Sequence, residues 1–108
     1  HESFFLNIRE KNPDLPVIMA TKTDLPRSPA AEKSNAAHRA VVYETYENAV
    51  KRGDRNVIFI DGATVFSKAL TLSAPADSCT VDGCHPNDLG FACMAKVFGD
   101  AIEKMLGL

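Results

Sequence analysis

Gly53-Asp54-Arg55-Asn56-Val57-Ile58-Phe59-Ile60-Asp61-Gly62 is the stretch that decides the fold of this 108-residue chain. A polar turn leads into four unbroken apolar residues, and Asp-Gly closes them. Four residues are too few for a helix. The lack of polar alternation marks a strand buried on both faces. Val17-Ile18-Met19-Ala20 repeats the pattern after the turn Asp14-Leu15-Pro16. Between the two, residues 32–52 are rich in Ala, Glu and Arg and lack Gly and Pro until Gly53, which predicts a long helix. Strand, helix, strand with wholly apolar strands implies parallel pairing through a right-handed crossover, hence an α/β fold.

Working outward, residues 2–12 read as a helix, with Phe4, Phe5 and Ile8 on one side and Glu2, Arg9 and Lys11 facing water. Pro13 ends it, because the residue before a proline is pushed out of the helical region. Thr21 to Ala31, with Pro26 and Pro29, reads as a loop at the carboxyl end of the first strand. Ala63 to Leu70 reads as a short helix and Thr71 to Cys84 as irregular. A last helix is expected over 88–106, capped by Asn87, with Met94, Val97, Phe98, Ala101, Ile102 and Met105 as its apolar face. Two strands do not make a covered parallel sheet. Further strands are therefore expected from residues outside this sequence or from a second copy of the chain. The first residue is not Met and a helix-like segment starts at once, so the expected boundary is not a natural start. No internal repeat, low-complexity tract or linker divides the chain.

At 45% hydrophobic and 24% charged the composition is that of one globular unit. Net charge is −2, and the twelve basic residues are scattered without forming a stripe, which argues against nucleic-acid binding. No apolar run approaches the length of a membrane span. No signal peptide pattern is visible, and secreted and cytoplasmic settings both fit. The three cysteines are Cys79, Cys84 and Cys93; the odd count argues against a scaffold built only of disulfides. A Cys79–Cys84 bridge fits a secreted chain, and Cys93 reads as a small core residue of the last helix.

The chemistry concentrates in Thr80-Val81-Asp82-Gly83-Cys84-His85-Pro86-Asn87-Asp88-Leu89-Gly90. An Asp three residues before a His can hold the imidazole in one orientation and tautomer, leaving the other ring nitrogen to take a proton from a nucleophile. In open parallel sheets, sites form at the carboxyl ends of the strands, which is where this loop lies. The plain alternative makes His85 a surface residue beside a helix cap, since short motifs arise by chance. Among nucleophiles, Ser67, Ser73 and Ser78 are loop serines near the motif, and Cys84 adjoins the His. Cys79, Cys84, His85 and His38 could be drawn as a zinc set, but their spacing matches no common zinc knuckle. Thr21, Lys22, Thr23 and Asp24 either line a cleft or form a solvated loop. His38 is expected to face solvent, and Tyr43 and Tyr46 to pack the long helix.

This block resembles the last motif of the SGNH (GDSL-type) hydrolases, D-x-x-H-P followed by a polar pair and Gly. Pro13-Asp14-Leu15-Pro16-Val17-Ile18 and Gly53 to Gly62 fall in the order of that family too. The resemblance covers essentially the whole chain and is specific from Thr80 to Ala95. It implies the C-terminal part of a single three-layer α/β/α (flavodoxin-like) domain, residues 1–108, with strands near 17–20 and 57–60 and helices near 2–12, 32–52 and 88–106. It implies ester hydrolysis with His85 as general base and acid and Asp82 orienting it, on a small ester such as an acetylated carbohydrate, without metal or cofactor. The family's serine lies in a G-D-S motif near the start of the domain, and Gly53-Asp54 is followed here by Arg55. Gly53-x-x-Asn56 mimics the family's asparagine block but enters a strand at its amino end, so it reads as a turn.

Two functions follow. In the first, the chain supplies the Asp-x-x-His part of a serine esterase, is inactive alone and self-associates through the apolar surface its missing part would cover. In the second, it is a non-catalytic α/β binding or assembly module in which Asp82 and His85 only shape a loop. A G-D-S block about 80–120 residues upstream favours the first; a start codon just before His1 favours the second.

Overall fold

The computed structural model describes residues 1–69 and 76–108. Helix α1 (Glu2–Lys11) leads to strand β1 (Val17–Ala20), helix α2 (Pro29–Lys51) and strand β2 (Val57–Ile60). A 3₁₀ turn (Gly62–Thr64) runs into the short helix α3 (Val65–Ala69). A second 3₁₀ turn (Ala76–Cys79) precedes helix α4 (Asp88–Leu106). The strands pair in parallel, Val17 opposite Val57 through Ala20 opposite Ile60.

The period-two geometry of a strand sends alternate residues to opposite faces, and the two cores divide accordingly. Ile18, Ile58 and Ile60 meet Val65, Phe66, Cys79, Cys93, Met94, Val97, Phe98 and Ala101 from α3, α4 and the segment before α4. Val17, Met19, Val57 and Phe59 meet Phe5, Val42, Tyr46 and Ala49 from α1 and α2. The pair of strands is thus the middle layer of an α/β/α stack. Tyr43 and Tyr46 pack on the Phe59 ring, the former edge-on at 5.0 Å between centroids, so both are packing residues of the long helix as expected.

Four expectations need correction. Helix α2 begins at Pro29, not near 32, because the Ser28 hydroxyl accepts the Ala31 N–H and Pro29 fills the first helical position, where its missing N–H costs nothing. Phe4 is exposed while Phe5 is buried, since only one of two adjacent helical residues can face α2 and β1. Arg9 does not face water. Its Nε donates to Asp54 Oδ2 at 2.8 Å, one terminal nitrogen donates to the carbonyls of Asn12, Pro13 and Leu15, and the other to Asn56 O. Ile102 lies off the core face of α4, half exposed; Cys93 holds the buried position instead. The segment before Cys84 also carries the regular turn Ala76–Cys79.

Candidate active site

The Asp82–His85 loop grows out of the second 3₁₀ turn and ends at the cap of α4. Thr80 and Pro86 form an antiparallel bridge, and the Val81 N–H donates to His85 O at 3.0 Å. Thr80 is buried, and its hydroxyl accepts the Gly83 N–H at 2.8 Å. Gly83 has φ +90°, a left-handed conformation that side chains disfavour. Asn87 holds the far end: its Oδ1 accepts the Gly90 N–H at 3.0 Å, and its Nδ2 donates to Ser78 O at 2.7 Å.

Within this frame Asp82 makes three hydrogen bonds. Its Oδ1 accepts the backbone N–H of Cys84 and of His85, each at 2.8 Å, and its Oδ2 lies 2.5 Å from His85 Nδ1. An ionised carboxylate only accepts, so Nδ1 carries the proton and Nε2 is left for other chemistry. The backbone N–H of His85, its ring and the N–H of Cys84 together hold the Asp82 carboxyl well below the usual carboxylate range. The His85 side chain is 75% exposed and Asp82 48%. Among the described residues no hydroxyl or thiol is hydrogen-bonded to Nε2.

The loop is joined to the carboxyl edge of the sheet. The Leu25 N–H, in the segment leaving β1, donates to Gly83 O at 2.6 Å. Beneath it Thr21 Oγ1 accepts the Gly62 N–H at 2.8 Å, and a Cβ on Gly62 would lie 2.2 Å from the carbonyl oxygens of Thr21 and Lys22. Asp24, which the sequence leaves between cleft and solvated loop, is buried and bound by Lys22 Nζ and Asn35 Nδ2, each at 2.8 Å. The Asp24 carboxylate raises the Lys22 ammonium above its ordinary pKa, and the adjacent Cys84 thiol adds to this. Lys22 thus stands beside the residue preceding His85 and lines a cavity of about 150 Å³ with Thr21, Asn35, His38 and Arg39. Arg39 Nε is 2.9 Å from Asp61 Oδ1, which ties α2 to the end of β2. Sequence reasoning missed Arg27, whose Nε would lie 2.4 Å from a Cβ on Gly83. The only signal for it was its place in the loop after β1.

The other candidates do not converge on His85. Ser67 Oγ donates to Thr64 O within its own helix, and Ser78 offers its carbonyl to Asn87. Ser73 lies outside the described residues. Cys79 faces Cys93, not Cys84, and among the described residues no three ligating side chains cluster around a metal position. His38 is exposed on α2. Gly53 and Asn56 form the turn at the amino end of β2, where Asn56 Nδ2 donates to Asp14 O, at the opposite edge from His85. A larger cavity at that edge, about 410 Å³ between α1 and this turn, holds no acid–His pair.

Two parallel strands lie between helix layers, with an Asp–His pair on a fixed loop at their carboxyl edge, an α/β/α arrangement. Residues 1–103 match the model of the GDSL-like lipase/acylhydrolase family, and the chain belongs to that family. It is similar to the crystal structure of a protein from Bacteroides ovatus ATCC 8483 assigned as a GDSL-like lipase, with 30% identity and a TM-score of 0.74 over 96% of this chain. The chain spans 30% of that protein's length. No curated protein matches it. No helix among the described residues is long and apolar enough to cross a membrane.

Proposed function

We propose that this chain is the C-terminal part of a GDSL-type serine ester hydrolase and supplies the acid–histidine half of its triad. The observation that carries the reading is the Asp82 carboxylate, bonded through one oxygen to two backbone N–H groups and through the other to His85 Nδ1. A neutral imidazole held this way, with its proton on Nδ1, presents Nε2 as the acceptor.

In the proposed reaction His85 Nε2 takes the proton of a serine hydroxyl as its oxygen attacks the ester carbonyl. Asp82 stabilises the imidazolium that results without taking the proton itself. His85 then protonates the leaving alcohol. A water molecule, deprotonated by the same nitrogen, releases the acid and restores the serine. The serine and the oxyanion donors belong to the part of the hydrolase preceding His1, and the 108 residues alone are inactive. Small esters are the proposed substrates, acetylated carbohydrate first among them. Each strand has one hydrogen-bonded neighbour among the described residues, and Leu15, Ile102 and Leu106 are exposed. On this ground the isolated chain self-associates. A monomer in sedimentation at micromolar concentration would count against that.

The test is p-nitrophenyl acetate turnover and fluorophosphonate labelling of the intact hydrolase, with His85→Ala beside it. Labelling outside these residues, with turnover lost in the variant, is the expected result. Full activity in the variant, or labelling of Ser67, Ser73 or Ser78, overturns the assignment.

A further inference from the structure

Cys79 and Cys93 are both buried, and their sulfurs lie 3.8 Å apart although 14 positions separate them in sequence. Their backbones are fixed on both sides. The Cys79 carbonyl accepts the Asn87 N–H at 3.0 Å, and the absent side chain of Gly90 lets that carbonyl settle against the first turn of α4. Cys93 follows one turn later on the same helix. A disulfide needs sulfurs about 2.0 Å apart. Rotation of the two side chains toward one another has to close the remaining gap of about 1.8 Å. Cys84 is placed differently: Asp82 fixes its backbone, and its thiol adjoins Lys22.

We propose that Cys79 and Cys93 form a disulfide when the chain folds in an oxidising setting. The bond closes the segment bearing Asp82 and His85 into a covalent loop fastened to α4, and Cys84 remains a free thiol. The oxidant is a small disulfide of the glutathione class. One cysteine thiolate attacks it, forming a mixed disulfide and expelling one thiolate of the oxidant. The second cysteine thiolate then attacks the protein sulfur of that mixed disulfide and expels the other. Two protons leave the protein, and its two electrons reduce one oxidant disulfide to two thiols. Burial and the neighbouring Cys93 push the Cys79 thiol up to about 11. Exchange runs through thiolate, so the folded reduced pair reacts slowly, and burial of both sulfurs shields the oxidised pair from an attacking thiolate. The bond is therefore made while the loop is still open, and the folded protein retains the state in which it folded.

The test is to reduce and unfold the full-length protein, refold it in mixed reduced and oxidised glutathione, quench with iodoacetamide and map the peptides. A Cys79–Cys93 linked peptide with Cys84 alkylated is expected, together with a Tm several degrees above that of a sample unfolded and refolded in dithiothreitol. The Cys84→Ser variant should give the same link. Alkylation of both Cys79 and Cys93 after equilibration, or a link from either to Cys84, overturns the proposal.

Discussion

Gly90 lies so close to Cys79 that a Cβ on the glycine would sit 2.1 Å from the cysteine's carbonyl oxygen. The approach is backbone on backbone, so no side chain can yield. Replacing Gly by Ala inside a helix ordinarily stabilises it; at this position the sign reverses. Gly90→Ala should lose about 1–3 kcal/mol through forced separation of the 3₁₀ turn from α4. Gly99, on the same helix with nothing within 4 Å of a Cβ, supplies the control. Gly99→Ala should gain about 0.5–1 kcal/mol. Urea unfolding of the two variants reads both signs, and equal effects would refute the contact.

Asp82→Asn should leave the loop folded, since an amide oxygen still accepts the two backbone N–H groups. It should remove the charge that stabilises the imidazolium and free the ring to take the wrong tautomer. In the intact hydrolase kcat should fall by about 10⁴, as for the corresponding change in a serine protease. KM should change little, and a kcat within tenfold of wild type would remove Asp82 from the mechanism.

The depressed pKa of Asp82 also makes stability depend on pH. Its carboxyl is more acidic folded than unfolded. Below about pH 4, the ordinary range of Asp, the unfolded chain therefore binds more protons than the folded one. Stability from this group is complete above that range and is lost as pH falls through the depressed folded value. Replacing Asp82 with Ala should flatten the acid side of the stability curve and leave its neutral side parallel to wild type. Carbon-13 titration of the carboxyl should show a midpoint clearly below that of a free Asp; an ordinary midpoint would mean that the three bonds are not held in solution.

Asn87 does two things at once, and two substitutions separate them. Asn87→Ala loses the cap on α4 and the bond to Ser78 O, for a loss of about 1 kcal/mol or somewhat more. Asn87→Asp keeps an oxygen for the Gly90 N–H and adds a charge that suits a helix N-terminus. It gives up only the donor to Ser78. Thermal unfolding should rank wild type above Asp and Asp above Ala.

At the other edge of the sheet, Arg9 gathers the carbonyls of Asn12, Pro13, Leu15 and Asn56 around one guanidinium. Lysine cannot reproduce its fork. Arg9→Lys should lower stability by about 1.5–3 kcal/mol, the range for hydrogen bonds to charged groups. It should leave KM and kcat of the intact hydrolase unchanged, because the turn it holds is at the amino ends of the strands. A kinetic effect at a temperature where the variant is fully folded would contradict this placement.

The strands and α4 were legible because their signals are local. Val17–Ala20 and Val57–Ile60 are apolar runs bounded by turns, and Asn87 announces the cap directly. The Asp82–His85 contact was legible for the same reason, its partners being three positions apart. Arg9 was misjudged because its partner Asp54 lies 45 positions away, and a helical wheel weighs only polarity. The burial of Asp24 was unreadable for a similar reason: Asn35 reaches it from a different element. The start of α2 was missed because Ser28-Pro29 follows Pro26 and reads as more loop, although Ser then Pro is itself a helix-opening pair.

Gly62 on Thr21 and Lys22, and Gly90 on Cys79, bring main chain against main chain along one line under the proposed reactive pair. Apart from the Thr21 hydroxyl, which accepts the Gly62 N–H, the atoms met at these two contacts are mostly main chain. Over generations, positions such as Thr23, Pro26 and Arg27 are free to exchange residue types and so retune what a neighbouring ligand meets. The two glycines are not, because any replacement wedges the layers apart. A library randomised across this edge should therefore yield functional variants rich in changes at Thr23, Pro26 and Arg27 and nearly empty at the two glycines, a pattern of permitted drift written by the backbone.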